Sequence, residues 1–412
     1  MVGARSLLRS GWPLLALALA VRIAQIVATH DWVPVADPAD YVRHAQSIAD
    51  GHGMAVSFVA HGGPSAFRPP AYPYFLGGVF ALTGDSLTAG RVASALLGVV
   101  SVALIGVIAQ ALWDRRAALS AMGIAAIYPP FVLLSGTLLS ESLGLPLALA
   151  ALTVVLACRN ERWAAPVSGV LFGLALLTRP ASVAFAIPLI VALWGRRAVV
   201  ALAVTAITLV PWTIRNAIDF DAFVPIATDA GFLLGGTYNQ TTDHDPAEPG
   251  AYRPANFDPA LRAILEDRSL DEHEVDQKLA KAGRRYAQDH PGYVPRVFWF
   301  NTLRLAAVRH GRSWTRYSYA FQGIGTRSAQ LARFGWYLLA LAALAAIAFG
   351  VLRRELWWLW VVPLLLVLTT VWTSGDVRYR IPIEAFAILA AASLARGRRP
   401  APPPPPRTQQ PQ

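Results

Sequence analysis

Charge is scarce in this chain of 412 residues: only 15% are Asp, Glu, Lys or Arg, against about a quarter in an ordinary soluble domain. That shortage argues against a soluble enzyme of this length and for a polytopic membrane protein. Sulfur chemistry is nearly absent as well. The one cysteine, Cys158, cannot form an internal disulfide, and no CxxC or Cys/His cluster offers a zinc or redox centre. Acidic residues number 25 against 36 basic ones, for a net charge of +11. The basic excess sits in short clusters between apolar runs, where Lys and Arg orient membrane spans. It is read as topology, and no nucleic-acid partner is expected.

What is abundant is apolar: 55% of the chain is hydrophobic and its mean hydropathy is +0.43. Stretches of about bilayer length occur at 13–29, 88–112, 117–138, 142–158, 163–178, 181–195, 198–214, 334–352, 356–372 and 380–395, which makes ten candidate transmembrane helices. If Arg5 and Arg9 are cytoplasmic, then Arg115/Arg116, Arg159/Arg162, Arg196/Arg197, Arg353/Arg354 and Arg396/Arg398/Arg399 all fall on that side, and both termini are cytoplasmic. The first span carries Arg22 inside its apolar run and no small-x-small pattern before Asp31, so it reads as a retained helix and not a cleaved signal.

The expected organisation is an all-α membrane domain over 1–395, with a first outer loop at 30–87 and a long helical outer loop at 215–333. A Pro-rich, disordered cytoplasmic tail follows at 396–412. "AYPYFLGGVFALTG" (71–84) is too short to count as a span without inverting the parity, and is expected as a helix along the outer interface. In the long loop, Asp271 three residues before Glu274, with Val275, Leu279 and Ala282 behind them, predicts a capped amphipathic helix. "PGYVPRVFWFNTLRLAAVRHGR" alternates aromatic and basic residues as an interfacial helix does.

Charges in or at the ends of spans are costly and mark candidate sites. They are Arg22, Arg91, Glu141, Arg179, Arg215, Arg378, Arg380 and Glu384. On this topology they gather at the outer face, which also carries Asp37 and Asp40. Lipid snorkelling explains any single one of Arg22, Arg91 or Arg179 equally well. Glu141, in "LLSGTLLSESLGLPL", has too short a stem for that and implies a hydrated cavity. Outward carboxylates with several arginines suit transfer from a lipid-linked phosphate. Arginines hold the phosphate, and a carboxylate deprotonates an acceptor hydroxyl. Glycosyl transfer from a polyprenyl-phosphate sugar is the simplest such reaction.

Asp37 and Tyr41 stand in a DxxxY spacing within "VPVADPADYVRHAQSIADGHG". That segment resembles the first outer loop of the GT-C membrane glycosyltransferases, in particular the group holding the protein O-mannosyltransferases and the lipid A aminoarabinose transferase. "FRPPAYPYFLGGVFALTG", "LLSESLGLPL", "LTRP", "PWTIRN", "TDAGFLLGGTYN" and "GDVRYRIPIEAFAILAAA" follow in the family's order. The resemblance implies Asp37 as catalytic base, with Asp40 as competitor. The alternative for Asp40 is an N-terminal cap on a helix over Tyr41–Ala49.

It also implies Arg68 near the donor phosphate or orienting Asp37, Glu141 as a second acidic position, and Arg378 and Arg380 as phosphate contacts, with interfacial anchoring as the alternative. Arg179, Tyr41, Tyr238 and Asn239 complete the candidate substrate-binding set, with Tyr41 more a packing residue than a chemical one. Some relatives use a divalent cation and others none, so a cofactor is left open. Expected partners are a polyprenyl-phosphate-linked sugar donor, a glycan, lipid or protein acceptor, and membrane lipids. The enzyme is expected to be an inverting hexosyl- or pentosyltransferase of the cell membrane with its site on the extracytoplasmic side. Ala, Arg and Pro richness suggests a GC-rich, bacterial source. The competing function is a transporter or flippase for a lipid-linked sugar. Against it stand inner halves of spans nearly free of charge and no inverted repeat of hydropathy.

Overall fold

The computed structural model describes residues 2–55, 63–309, 325–350 and 356–397. Arg353/Arg354, Arg398/Arg399 and the Pro-rich stretch beyond lie outside them. Among the described residues the chain is helical, with no strand. The first helix, α1 (Val2–Ala28), is followed by two helices in the loop over 30–87, α2 (Asp37–Ala49) and α3 (Ala71–Thr83). Then come α4 (Leu87–Leu112), α5 (Arg115–Ile127) and α6 (Pro129–Leu134). Asp114 caps α5 by accepting from the Ala117 amide at 3.0 Å. The Pro129–Pro130 pair holds Tyr128 extended and ends α5, and the chain restarts as α6 with proline in its first turn. The stretch expected as one span at 117–138 is therefore two helices.

α7 (Glu141–Ala157) and α8 (Ala164–Thr178) lead through a 3-10 turn, Pro180–Phe185, into α9 (Ala186–Leu193) and the long α10 (Gly195–Phe220). On α8, Gly169 and Gly173 lie one turn apart and face α10. A Cβ on Gly169 would stand 2.4 Å from the Ala201 carbonyl oxygen. The missing side chains let the two backbones touch, and Thr205 Oγ1 donates to the Gly169 carbonyl at 3.0 Å across the seam.

The long loop over 215–333 holds α11 (Ala230–Thr237), α12 (Gln240–Asp243), α13 (Pro259–Glu266), α14 (Glu272–Asp289) and α15 (Tyr293–Leu305). α14 begins with the capping box expected from Asp271 and Glu274 and buries Val275 and Leu279. Three apolar helices close the chain: α16 (Thr326–Ala348), α17 (Trp357–Val371) and α18 (Ile381–Ala392).

Helix occurs within each of the ten apolar stretches. Four helices, over Ser6–Ala28, Leu87–Leu112, Gly195–Phe220 and Arg327–Ala348, are long and apolar enough to cross a membrane unaided. The others are shorter or broken, so helix length alone does not establish ten crossings. One contiguous apolar core runs through α1, α4, α5, α7, α8, α17 and α18, and α3 adds Tyr72, Leu76 and Phe80 to it. α2 packs on α3 and α3 on α4. The loop that holds α2 and α3 is thereby fixed at the end of the bundle where α7 begins.

Candidate active site

Asp37 is the first residue of α2, and Pro38 behind it supplies the fixed φ that suits a helix start. The helix thus begins four residues before Tyr41. Ala36 occupies the cap position without a side-chain bond, so Asp40 is not the N-cap of a Tyr41–Ala49 helix. It lies one turn inside α2, on the buried side, and its carboxylate is fully engaged. Oδ2 accepts from Arg68 Nε at 2.7 Å and Oδ1 from Arg43 Nη2 at 3.1 Å.

Arg68 spans both aspartates, because its Nη2 reaches Asp37 Oδ1 at 2.6 Å. The other oxygen of Asp37 is held by Arg378, from the 3-10 turn Val377–Arg380 at the head of α18. Burial alone would raise the Asp37 carboxyl. The guanidiniums of Arg378 and Arg68 outweigh it and hold the group well below the usual carboxylate range. Asp37 keeps 15% of its side chain exposed, whereas Asp40 keeps 1%.

Beside this group lies a second pair. Glu141, the first residue of α7, binds Arg179 Nη1 through Oε1 at 2.6 Å, with Arg378 Nε at 3.9 Å. Arg179 also donates to Ser140 Oγ at 3.3 Å, and the same hydroxyl accepts from Tyr41 at 3.0 Å. Tyr41 packs edge-on against Tyr72 with ring centroids 5.1 Å apart. Burial pushes its phenol up to about 12, which suits the packing role expected for it. The Arg179 and Arg378 guanidiniums lie against the Tyr379 ring at 5.0 and 4.8 Å. A pocket joins Glu141, Arg179 and Tyr379 to the apolar Leu145, Phe185 and Leu366.

The structure therefore brings Asp37, Asp40, Tyr41, Arg68, Glu141, Arg179 and Arg378 together. It places three other candidates elsewhere. Arg380 donates from Nε to Glu384 at 2.6 Å and from Nη1 to the Leu305 carbonyl at 2.7 Å, under the Trp336 ring. It is buried structural glue. Tyr238 packs against Tyr293. Asn239 caps α12 through Thr242 N at 2.9 Å and bonds the Gly235 carbonyl at 2.8 Å.

Three residues were not singled out from sequence. Tyr379 sits inside the quoted "RYR" and Asp229 inside "TDAGFLLGGTYN", while Tyr252 carried no local mark. Burial raises the Asp229 carboxyl, with Arg68 and Arg179 opposing and Asp37 adding to the rise. Tyr252 is raised by burial and by the Asp37 charge. His44 is fully buried near Asp40, and burial pushes its imidazole down to about 4. It is neutral at ordinary pH. Among the described residues no group of three or more His, Cys, Asp or Glu is placed to hold a metal ion. The site carboxylates face arginines, a donor set unsuited to a divalent cation.

Comparison with known proteins agrees with this architecture. The profile of the dolichyl-phosphate-mannose-protein mannosyltransferase family matches residues 67–214, the segment from before Arg68 through α10. The oligosaccharyltransferase of Archaeoglobus fulgidus in its apo form superposes with a TM-score of 0.54 at 14% identity, over 93% of this chain and 50% of that one. The fold is of the GT-C type.

A second GT-C structure, the A. fulgidus oligosaccharyltransferase AglB in complex with an inhibitory peptide and a dolichol-phosphate, gives the same TM-score of 0.54 at 16% identity, over 93% of this chain and 50% of that one. ArnT from Cupriavidus metallidurans bound to undecaprenyl phosphate matches at 16% identity and a TM-score of 0.45, over 94% of this chain and 78% of that one. The chain spans about half the length of the oligosaccharyltransferases it matches. No curated protein sequence matches it. The protein is a membrane protein with a GT-C fold, and its residues 67–214 match the model of a mannosyltransferase family.

Proposed function

We propose that the protein is an inverting glycosyltransferase that moves a hexose or pentose from a polyprenyl-phosphate donor to an acceptor hydroxyl at the extracytoplasmic face, with Asp37 as general base. Ten crossings with both termini in the cytoplasm, a single membrane domain over 1–395 and a site formed by the two outer loops complete the reading. The observation that carries it is the meeting of two environments: Arg179, paired with Glu141 beside the Asp37 cluster, lines a pocket together with the apolar Leu145, Ala148, Phe185 and Leu366. A phosphate on an isoprenoid needs both.

In the proposed reaction the acceptor oxygen attacks the anomeric carbon from the face opposite the phosphate. Its proton passes to Asp37, and the C–O bond to phosphate breaks with its electron pair going to the leaving phosphate. Arg378 and Arg179 are placed to hold that charge. Without substrate, both oxygens of Asp37 are occupied by guanidiniums, which makes the carboxylate a weak base. A donor phosphate competes for the same arginines, draws them off Asp37 and raises its basicity where and when it is needed.

Asp40 keeps 1% of its side chain exposed where Asp37 keeps 15%, and this access for an incoming hydroxyl supports Asp37 as the base. A peptide-bound neighbour is no evidence for a peptide acceptor here, and the acceptor is proposed only as a hydroxyl compound. The test is transfer from a panel of radiolabelled polyprenyl-phosphate sugars to endogenous acceptors in membranes. Some donor should be consumed by wild type and by Asp40→Asn but not by Asp37→Asn at matched expression. Consumption of no donor by the wild type, with lipid still bound, would overturn the reading in favour of transport.

A further inference from the structure

We infer that Glu272, at the start of α14, is a positioning residue for Arg68 that makes the long outer loop part of the working site. The inference rests on the reading of Arg68 as a residue that binds phosphate and orients Asp37. Glu272 is 2% exposed. Its Oε2 accepts from Ser65 Oγ at 2.7 Å, and its Oε1 accepts from the Ala66 amide at 2.7 Å and from Thr228 Oγ1 at 2.5 Å. These partners lie more than 40 residues away in sequence in one case and about 200 in the others, so the contact ties separate parts of the chain. As the first residue of α14 behind the Asp271 cap, the carboxylate also lies at the positive end of that helix.

The same short segment is held from other sides. Arg215 Nη1 donates to the Ser65 carbonyl at 2.9 Å, and the Thr228 amide donates to the Ala66 carbonyl at 3.0 Å. Phe67 then packs edge-on against Phe232 with centroids 5.0 Å apart. With the amide of Ala66 and the carbonyls of Ser65 and Ala66 fixed, Arg68 reaches Asp37 and Asp40 from a pinned backbone. Among the described residues, Glu272 is the carboxylate that bonds this segment directly. Removing it frees the Ala66 amide and both hydroxyls together, and the guanidinium two residues on loses its reference point.

The test is a double-variant cycle on the full-length protein in lipid nanodiscs, read by donor turnover and by binding of undecaprenyl phosphate. Glu272→Ala should lower kcat/KM for the donor by about 10- to 100-fold, the scale of a misplacement of about 1 Å. Arg68→Ala should cost more. The double variant should fall no lower than Arg68→Ala alone, because Glu272 acts through Arg68. Glu272→Gln should recover most of the loss, since its amide oxygen still accepts from Ala66 and Ser65 can turn to accept from its nitrogen.

Losses that multiply in the double variant, or no loss in Glu272→Ala, overturn the inference. If Glu272→Ala does not fold, Thr228→Val and Ser65→Ala take its place in the same cycle with the same two outcomes. A wild type that turns over no polyprenyl-phosphate sugar and binds no undecaprenyl phosphate defeats the functional reading and this inference with it. Turnover with multiplying losses defeats the inference alone.

Discussion

Replacing Asp37 by Asn should slow catalysis and tighten lipid binding, two effects of opposite sign from one atom. The change keeps the shape of the side chain and removes a proton acceptor, which costs about 10²- to 10⁴-fold in kcat. It also removes a charge from a balanced cluster. Asp37, Asp40, Glu141 and Asp376 face Arg43, Arg68, Arg179 and Arg378, and the variant leaves three anions against four cations. A phosphate seated on Arg378 would lie about 6 Å from the lost charge. At an effective dielectric of about 20 to 40, the relieved repulsion is about 1.4 to 2.8 kcal/mol, or about tenfold to a hundredfold in affinity.

The assay pairs single-turnover transfer with equilibrium binding of undecaprenyl phosphate to the same nanodisc preparation. A mere folding defect weakens both. The base assignment fails if Asp37→Asn keeps more than about a tenth of the wild-type kcat, set against the loss expected of a general base, and the charge argument fails if its affinity for the lipid phosphate falls.

Other outcomes follow from the same geometry. Arg179→Gln strips the buried Glu141 of its 2.6 Å partner. It should raise donor KM and lower thermal stability by about 1–3 kcal/mol, less than for a fully buried pair because Arg179 is partly exposed. Adding Glu141→Gln should restore part of the stability but not the KM. On α8, Gly169→Val should unseat α10 and reduce the detergent-resistant folded fraction, whereas Gly123→Ala, whose Cβ meets open space, should be neutral or slightly stabilising in the same assay.

Asp276 is pushed up to about 7 by burial, with the Gly231 and Phe232 amides opposing and the Asp229 and Glu272 charges adding. A raised carboxyl favours the fold while protonated, so its contribution is full below the unfolded value near 4 and is lost as pH rises through about 7. Asp276→Asn should therefore be more stable than wild type at pH 8, by about 1–2 kcal/mol of a ceiling near 4, and indistinguishable from it at pH 4. Melting curves across pH check the crossover.

The sequence showed most of the helices, because apolar periodicity and length are local properties. It showed the individual members of the site for a different reason: charges near apolar ends are rare enough to be conspicuous. Pairings were not legible. Asp40 stood as competitor for the base, with a cap on a Tyr41–Ala49 helix as its alternative, but Pro38 fixes the helix start at Asp37 and turns Asp40 toward Arg68. Arg378 and Arg380 looked equivalent in "RYR". In a 3-10 turn of about three residues, positions two apart point to different sides, so one enters the site and the other meets Glu384. Glu272 had no local mark at all, since everything it bonds lies far off in the chain.

α10 is 26 residues long, about 39 Å of helix, against a hydrocarbon core of about 30 Å. Its first turn carries Arg196 and Arg197, and its last turns carry Arg215 and Asp219. There Arg215 grips the Met54 and Ser65 carbonyls at 3.1 and 2.9 Å. On the proposed function, the helix is a measuring post across the bilayer, with the loop that carries Arg68 tied to its end. The height of the reacting groups above the lipid is then set by the post and not by the acceptor. Only acceptor hydroxyls delivered at that altitude can be used, and a thicker membrane would sink the loop toward the headgroups.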